Sequence, residues 1–245
     1  MTRVDVVIPV YNEERALPQS IPELRSFLAG ADFPYDWRIR IADNASIDDT
    51  PAVSRELEKQ FPDEVEYVRI ERKGRGFALK QVWGEGDADV RTYMDVDLST
   101  GLEAFLPLVR AVAEDGYGVA IGSRLMKGAQ VTRSLKRRIL TSGYNTMIKG
   151  MFFTRFSDAQ CGFKAISRQV AERVLPRIEN NNWFFDTELL ILAEKMGYRI
   201  KDVPVRWVED TDTRVKISGT IMEDVRGLIR MRRERPWLAT PDPRL

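Results

Sequence analysis

Two aspartates, Asp95 and Asp97, stand one residue apart at the end of an apolar run, in the stretch TYMDVDLST at positions 92–100. Crowding two negative charges there gains nothing structurally and points to a cation between them. The chain has no histidine. That absence excludes Ser-His-Asp and Cys-His hydrolysis, the HExxH metalloproteases and every imidazole-ligated metal. A metal must then be held by oxygen, and oxygen-only sites favour Mg²⁺ or Mn²⁺. In a strand-end loop, alternate residues aim two carboxylates at one such ion. The ion neutralises a diphosphate and stabilises it as a leaving group. For so short a motif, a solvated turn with two acids is the plainer alternative. A general base must be a carboxylate or a less usual group, unless the reaction needs none.

A second cluster is cationic. From Arg124 to Gln160, eight basic residues (Arg124, Lys127, Arg133, Lys136, Arg137, Arg138, Lys149, Arg155) face one acid, Asp158, in a chain whose net charge is only +1. A solvated helix face would interleave acids with bases. This segment is built to meet something anionic.

These groups need a scaffold that brings strand ends together. Residues 4–10 (VDVVIPV) read as a buried strand, and Leu17, Ile21, Leu24 and Leu28 recur at helical spacing. Strands follow at 37–42, 65–70, 90–96 and 117–123. Between them lie helices starting near 48–51, through 78–82, and over 102–114. Strands alternating with helices give a mostly parallel sheet covered on both faces, with its site off the C-terminal strand ends. Tyr11-Asn12-Glu13, Asp43-Asn44, Asp95 with Asp97, and Ser123-Arg124 all fall there. Beyond 123 come a long basic and apolar stretch (133–153), the segment 162–166, helices at 168–175 and 186–196, a strand at 199–208, and an Arg-rich amphipathic stretch at 221–235.

Rival readings are weaker. Lys73-Gly74-Arg75-Gly76 has two glycines, but GxGxxG would need a third at Leu79, and the segment follows the third strand rather than the first. No P-loop occurs. A nucleotidyltransferase would place a Gly-rich basic loop after the first strand, where PVYNEE is acidic and lacks glycine. Nucleic-acid binding finds no recognition module, and acids at the strand ends oppose a phosphate backbone. Cys161 is the single cysteine, which leaves no internal disulfide. No apolar run reaches the length of a membrane span, and the N-terminus does not read as a signal peptide. A cytoplasmic location is the default expectation.

The order VVIPVYNEE, IADNASIDDT, KGRGFALK, TYMDVDLST, IGSRL, DAQCGFKA and FFDTELLILAEKMGYRIKDVPVRW resembles the family 2 inverting glycosyltransferases of the GT-A fold, over about 4–216. Within them it is similar to the polyisoprenyl-phosphate group, typified by dolichyl-phosphate glucosyltransferase and dolichyl-phosphate mannose synthase. The resemblance implies residues 1–217 as one catalytic domain, with 1–123 binding nucleotide and 124–217 binding acceptor, and 218–245 as a basic amphipathic helix and tail. It implies that Pro9, Tyr11 and Glu13 cradle the nucleotide, that Asp43 contacts the base, and that Lys73 approaches the nucleotide. Asp95 and Asp97 become the metal pair, with Asp97 the direct ligand. Arg124 reaches the donor phosphate. Arg137 or Arg138 meets the lipid phosphate, and Asp158 lies near the acceptor. Asp186 and Glu188 open the late helix. Arg214 and Lys216 stand where many members carry a GxSK segment. Ser99 replaces the Gln often found in mannose synthases, and the DLST form is closer to the glucosyltransferase branch. UDP-glucose is therefore the first donor and GDP-mannose the second. The QxxRW motif of processive synthases is absent.

The chemistry agrees with the missing histidine. A hydroxyl acceptor needs a base, for which Asp158 or Asp186 would serve. A phosphate monoester, with a second pKa of about 6, is already an anionic nucleophile and needs only cations to position it. Arg137, Arg138 and Arg214 supply the fork geometry. A polyprenyl phosphate also suits the basic apolar stretches, which would lie on a membrane's inner face. Packing against the domain is the alternative for 221–235 and for Met151-Phe152-Phe153. Trp83, Trp183 and Trp207 read as core anchors, with Trp183 the one to examine for acceptor contact.

Overall fold

The computed structural model describes residues 1–30, 32–132, 134–208 and 217–238. Strand β1 (Arg3–Val10) is buried on both faces, as its continuous apolar run requires. Helix α1 (Leu17–Leu28) buries Leu17, Ile21, Leu24 and Leu28, one stripe of a 3.6-residue repeat. There follow β2 (Asp36–Asn44), α2 (Thr50–Gln60), β3 (Val65–Ile70), α3 (Arg75–Glu85), β4 (Val90–Met94), α4 (Phe105–Ala113), β5 (Val119–Ser123), β6 (Gln130–Thr132) and α5 (Leu135–Phe152). The chain continues through β7 (Phe163–Ser167), α6 (Arg168–Arg173), α7 (Phe185–Lys195), β8 (Ile200–Pro204), β9 (Arg206–Val208) and α8 (Ile217–Glu234).

Among the described residues, seven strands form one sheet in the order β3-β2-β1-β4-β7-β5-β8. All pairings are parallel except those of β7, which runs antiparallel between β4 and β5. The α/β fold is thus the mostly parallel sheet expected. The strand order reverses beside β1, which leaves a crevice between the ends of β1 and β4. One apolar core packs α1, α2 and α4 on one face, and a second packs α3, α5, α6, α7 and α8 on the other.

Three boundaries that bear on the site differ from expectation. The strand expected over 90–96 stops at Met94, so both aspartates lie in the following turn, where Leu98 takes a left-handed φ of 49°. The helix expected over 102–114 opens with a 3-10 turn, Leu102–Ala104. The strand expected over 199–208 divides at Pro204, which lacks an amide hydrogen to continue a ladder. Its first half joins the main sheet, and its second half pairs with β6 in a separate two-stranded sheet.

The amphipathic stretches divide between core and solvent. Phe152 is buried and meets Trp237 edge-on at 6.1 Å, whereas Phe153 beside it is 78% exposed. Helix α8 buries Leu228 and Met231 in the second core while Ile221, Met222 and Ile229 stand out. Its Arg230 reaches the buried Glu188 of α7 at 2.5 Å. Trp83 is a core residue, as read from sequence, and donates to the Thr92 carbonyl at 3.2 Å.

The same helix carries a cost. Asp224 is buried, and its Oδ2 accepts from Gln160 at 3.0 Å, while among the described residues Oδ1 has no hydrogen-bond partner in good geometry and the carboxyl lies near the Tyr144 hydroxyl. Burial, followed by the charge of Glu223, pushes its pKa from 3.8 up to about 7. Between those values the native state keeps a proton that the unfolded chain has released, so stability falls as pH rises through that window. Asp224→Asn keeps the acceptor for Gln160 and removes the charge. It should flatten that slope and raise stability at pH 8 by about 1–3 kcal/mol. Urea unfolding at pH 5 and pH 8 measures this, and no gain at pH 8 would count against a buried ionised acid.

Candidate active site

The β1 and β2 ends are locked together by register, with Val10 opposite Asp43. Asn12, at a left-handed φ of 57°, donates its amide to Ser46 Oγ at 2.9 Å, and its Oδ1 accepts from the Ile47 amide at 3.0 Å. The Glu13 amide donates to Thr50 Oγ1 at 2.8 Å. These bonds fix the 11–14 loop beside the 44–50 loop. Pro9 lies in β1 opposite Ala42, and Lys73 Nζ sits 3.8 Å from the Tyr11 ring centroid. Tyr11 and Lys73 therefore meet beside the loop that carries Glu13.

Asp43 has a different place from the one its sequence position suggests. It is wholly buried, with Oδ1 accepting from the Ser46 amide at 2.9 Å. Its Oδ2 accepts from Tyr67 at 2.8 Å and Arg69 at 2.6 Å. Burial alone would raise its pKa, but hydrogen bonds from Ser46, Arg69 and Tyr67 outweigh it and hold the group below the usual range. Asp43 braces the loop from beneath, because its oxygens are spent inside the protein.

Beyond β4, Asp95 is half exposed and Asp97 exposed, with Asp97 Oδ1 accepting the Ser99 amide at 3.0 Å. Antiparallel β7 starts where β4 ends, pairing Met94 with Phe163, and so brings Gly162 against Asp95. A Cβ at position 162 would lie 1.9 Å from Asp95 Oδ2. Only glycine leaves that oxygen its room. Among the described residues no third carboxylate, His or Cys joins the pair in a metal cluster. Two oxygen donors on an open loop suit Mg²⁺ or Mn²⁺, which keep waters and take phosphate oxygens for the remaining positions. They are too few for a protein-only Ca²⁺ cage, and the set lacks the nitrogen or sulfur of zinc sites.

The cation beside Asp95 is Arg75, which the sequence reading did not single out. Its guanidinium donates to Asp95 Oδ1 at 2.9 Å and to Asp186 Oδ2 at 2.7 Å. It lies over the rings of Tyr93 (4.9 Å) and Trp183 (5.1 Å). Asp186 also receives Lys164 Nζ at 2.9 Å and a very short bond from the Tyr93 hydroxyl. Burial pushes the Asp186 pKa up, yet Lys164 and Arg75 together bring it below the ordinary value. The two glycines flanking Arg75 pack tightly; a Cβ on Gly76 would stand 2.6 Å from that of Phe185.

On the other side of β7, Arg124 holds the fully buried Asp158 through Nε (2.8 Å) and Nη2 (3.0 Å), and lies 5.4 Å from the Trp207 ring. Burial opposes the Asp158 charge, but Arg124 outweighs it and lowers the pKa. Asp158, expected as a base for a hydroxyl acceptor, instead orients Arg124 and has no surface to meet a substrate. Asp186, the other candidate base, is similarly enclosed by Arg75, Lys164 and Tyr93. Cys161 is the inert buried thiol expected, its pKa pushed up to about 12 chiefly by burial.

Arg124 opens into a cleft of about 490 Å³ whose lining includes Arg138, Ser142, Asn145, Lys149 and Ser157, and among the described residues no carboxylate. Arg138, Ser142, Asn145 and Lys149 recur at helical spacing on α5, a signal readable from sequence. Arg137, half-buried on the same helix, is not part of the lining. Arg214 and Lys216 lie outside the described residues. Trp183 is 42% exposed rather than a core anchor.

The model of the family described as Glycosyl transferase family 2 matches residues 5–175. The chain is 32% identical to "Glycosyltransferase AglD" of Haloferax volcanii over 99% of its own length, but spans only 38% of that protein. It is also 32% identical to the dolichyl-phosphate beta-glucosyltransferase of Drosophila melanogaster, covering 84% of this chain and 67% of that one. Among solved structures, glucosyl-3-phosphoglycerate synthase from Mycobacterium tuberculosis, in complex with Mn²⁺, UDP-glucose and phosphoglyceric acid, has a TM-score of 0.69. That match has 16% identity and covers 94% of this chain and 79% of the other. The mannosyltransferase PcManGT from Pyrobaculum calidifontis, in complex with GDP-Man and Mn²⁺, has a TM-score of 0.61 at 20% identity, covering 93% of this chain and 64% of its own. The shared fold is the GT-A fold.

Gly162→Ala places a methyl group where Asp95 Oδ2 now sits. The half-exposed carboxylate turns away at little cost to the fold but leaves the crevice. Mn²⁺-dependent binding of uridine diphosphate should weaken about tenfold or more, with the melting temperature within about 5 °C of wild type. Titration calorimetry and a thermal melt separate the two, and unchanged affinity would mean that Asp95 needs no such room.

Proposed function

The chain belongs to glycosyl transferase family 2, and from that premise we propose that it is an inverting hexosyltransferase moving a sugar from a nucleotide diphosphate to a polyprenyl phosphate. The observation that carries the acceptor assignment is the cleft lined by Arg124, Arg138 and Lys149, with no carboxylate among the described residues that line it. Relatives named for glucosyl transfer to dolichyl phosphate support the same reading and favour UDP-glucose over GDP-mannose.

Asp95 and Asp97 hold Mg²⁺ or Mn²⁺, which when bound offsets charge on the departing diphosphate. Tyr11, Glu13 and Lys73 border the nucleotide, with Pro9 and Asp43 shaping the loop beneath. Residues 1–123 thus serve the donor and 124–217 the acceptor. Arg124, oriented by Asp158, faces the phosphates from the acceptor side. Arg138 and Ser142 hold the acceptor phosphate, and Arg137, Arg214 and Lys216 add to the cationic field around it. No base is required, because the phosphate oxygen attacks the anomeric carbon as an anion. This suits a site whose buried acids, Asp158 and Asp186, are already ion-paired.

The lipid tail extends toward a bilayer at its cytoplasmic face. Leu135 and Ile139 on α5 are 70% and 63% exposed beside the cationic cleft, in position to enter the interface. No helix among the described residues is long and apolar enough to cross a membrane.

Two substitutions separate the halves. Asp97→Ala should abolish the Mn²⁺-dependent part of donor binding in calorimetry with UDP-glucose and GDP-mannose. Arg138→Ala should leave donor affinity within about twofold and lower kcat/KM for a short-chain prenyl phosphate about 10- to 100-fold, the range for losing one charged hydrogen bond. Equal metal-free donor binding by wild type and Asp97→Ala would remove the metal clamp. Transfer to a non-phosphorylated alcohol at the same rate would remove the phosphate acceptor.

A further inference from the structure

Arg75 occupies the position that a metal at Asp95 must share. Its guanidinium takes Asp95 Oδ1 at 2.9 Å, and its side chain is only 13% exposed. The same group bonds Asp186 at 2.7 Å and is sandwiched between Tyr93 and Trp183. Gly74 and Gly76 press its backbone onto the 181–185 segment, and the Phe77 amide donates to the Asn181 carbonyl at 3.0 Å. Arg75 is therefore a fixed charge rather than a surface side chain that swings aside.

A fixed positive charge next to a carboxylate ligand does two things. It holds the carboxylate oriented, and it repels a second cation at the same carboxylate. A bare divalent ion meets that repulsion in full. A metal that arrives with a diphosphate brings negative charge of its own, and the guanidinium becomes an attractive neighbour instead. Arg75 also joins the two halves of the site, since Asp95 follows β4 and Asp186 opens α7.

We propose that Arg75 is a resident cation in the metal site, a positioning residue that keeps Asp95 closed to free divalent ions and makes metal and nucleotide bind together. This rests on the metal reading of Asp95 and Asp97. It predicts that removing the charge improves binding of bare metal, a direction opposite to that of a merely structural residue.

The test is Mn²⁺ binding followed by the electron paramagnetic resonance signal of free Mn²⁺, with and without uridine diphosphate. Arg75→Gln should bind Mn²⁺ alone about tenfold more tightly than wild type, and the factor by which uridine diphosphate tightens Mn²⁺ should shrink to match. Arg75→Lys keeps the charge and should bind Mn²⁺ alone within about threefold of wild type. If a folded Arg75→Gln binds bare Mn²⁺ no more tightly, or Arg75→Lys matches its gain, the inference fails while the metal site stands. If wild type binds no Mn²⁺ even with uridine diphosphate, the metal reading fails and takes this inference with it. Should Arg75→Gln not fold, the side-chain Nε resonance of Arg75, assigned by its loss in Arg75→Lys, decides the matter in wild type. Mg²⁺ with uridine diphosphate should shift it and the same Mg²⁺ alone should not; equal shifts overturn the proposal.

Discussion

A carboxylate cut off from water must be met by charge, and Asp186 is the point at which this protein satisfies that demand. Desolvating such a group costs several kcal/mol unless partners replace the lost water. Three do so here: Arg75 from α3, Lys164 from β7 and the Tyr93 hydroxyl from β4. Each comes from a different element, and Asp186 is the one acid that all three share. Lys164 is itself fully buried, and beside the Cys161 carbonyl and the Tyr93 hydroxyl it takes its counter-charge from Asp186. The first turn of α7, the end of β4 and the start of α3 are held in one geometry by the electrostatics of that single group.

The antiparallel strand β7 makes this arrangement possible. In an all-parallel sheet, the residues preceding a strand lie at the edge away from the site. Because β7 runs the other way, its preceding residues 158–162 arrive at the active edge. Asp158 then comes under Arg124, and Gly162 comes against Asp95. One reversed strand thereby supplies the support for Arg124 on one flank and the space for Asp95 on the other, and its second residue, Lys164, supplies the counter-charge for Asp186.

Much of this was legible in the sequence, and the reasons for the rest are physical. The first five strands of the main sheet could be read because each is a short apolar or alternating run between polar turns, and Asp95 and Asp97 because a carboxylate pair at a strand end is unusual. The basic face of α5 could be read from charge alone. Arg75 could not. Its glycines attract attention as a possible phosphate loop, whereas their role is to let backbone approach the 181–185 segment and set the guanidinium in place. Burial of Asp43 and Asp158 was also hidden. A carboxylate contacting a substrate and one bracing the residue that does so look alike in a motif, and only the count of internal donors separates them: three on Asp43, and a bidentate guanidinium with two amides on Asp158. The division at Pro204 was hidden because the residues on either side alternate like one continuous strand, and only the missing amide of Pro204 marks the place.

The two arginines of the acceptor cleft are not equivalent, and the difference suits the proposed chemistry. Arg124 is largely buried, and its charge is offset by Asp158. It adds directed N–H groups near the departing diphosphate more than it adds net charge. Arg138 is exposed on α5 and lines the cleft together with Lys149. Unlike Arg124, it brings net positive charge, which draws a dianion from solution or from a bilayer. A neutralised arginine on the donor flank and a charged one on the acceptor flank give the entering phosphate a gradient to follow. The same cations that hold it spread its charge and temper its nucleophilicity. An acceptor already carrying its charge tolerates that loss. A neutral hydroxyl would gain nothing from the cations and would still lack a base, since Asp158 and Asp186 are committed to arginine and lysine.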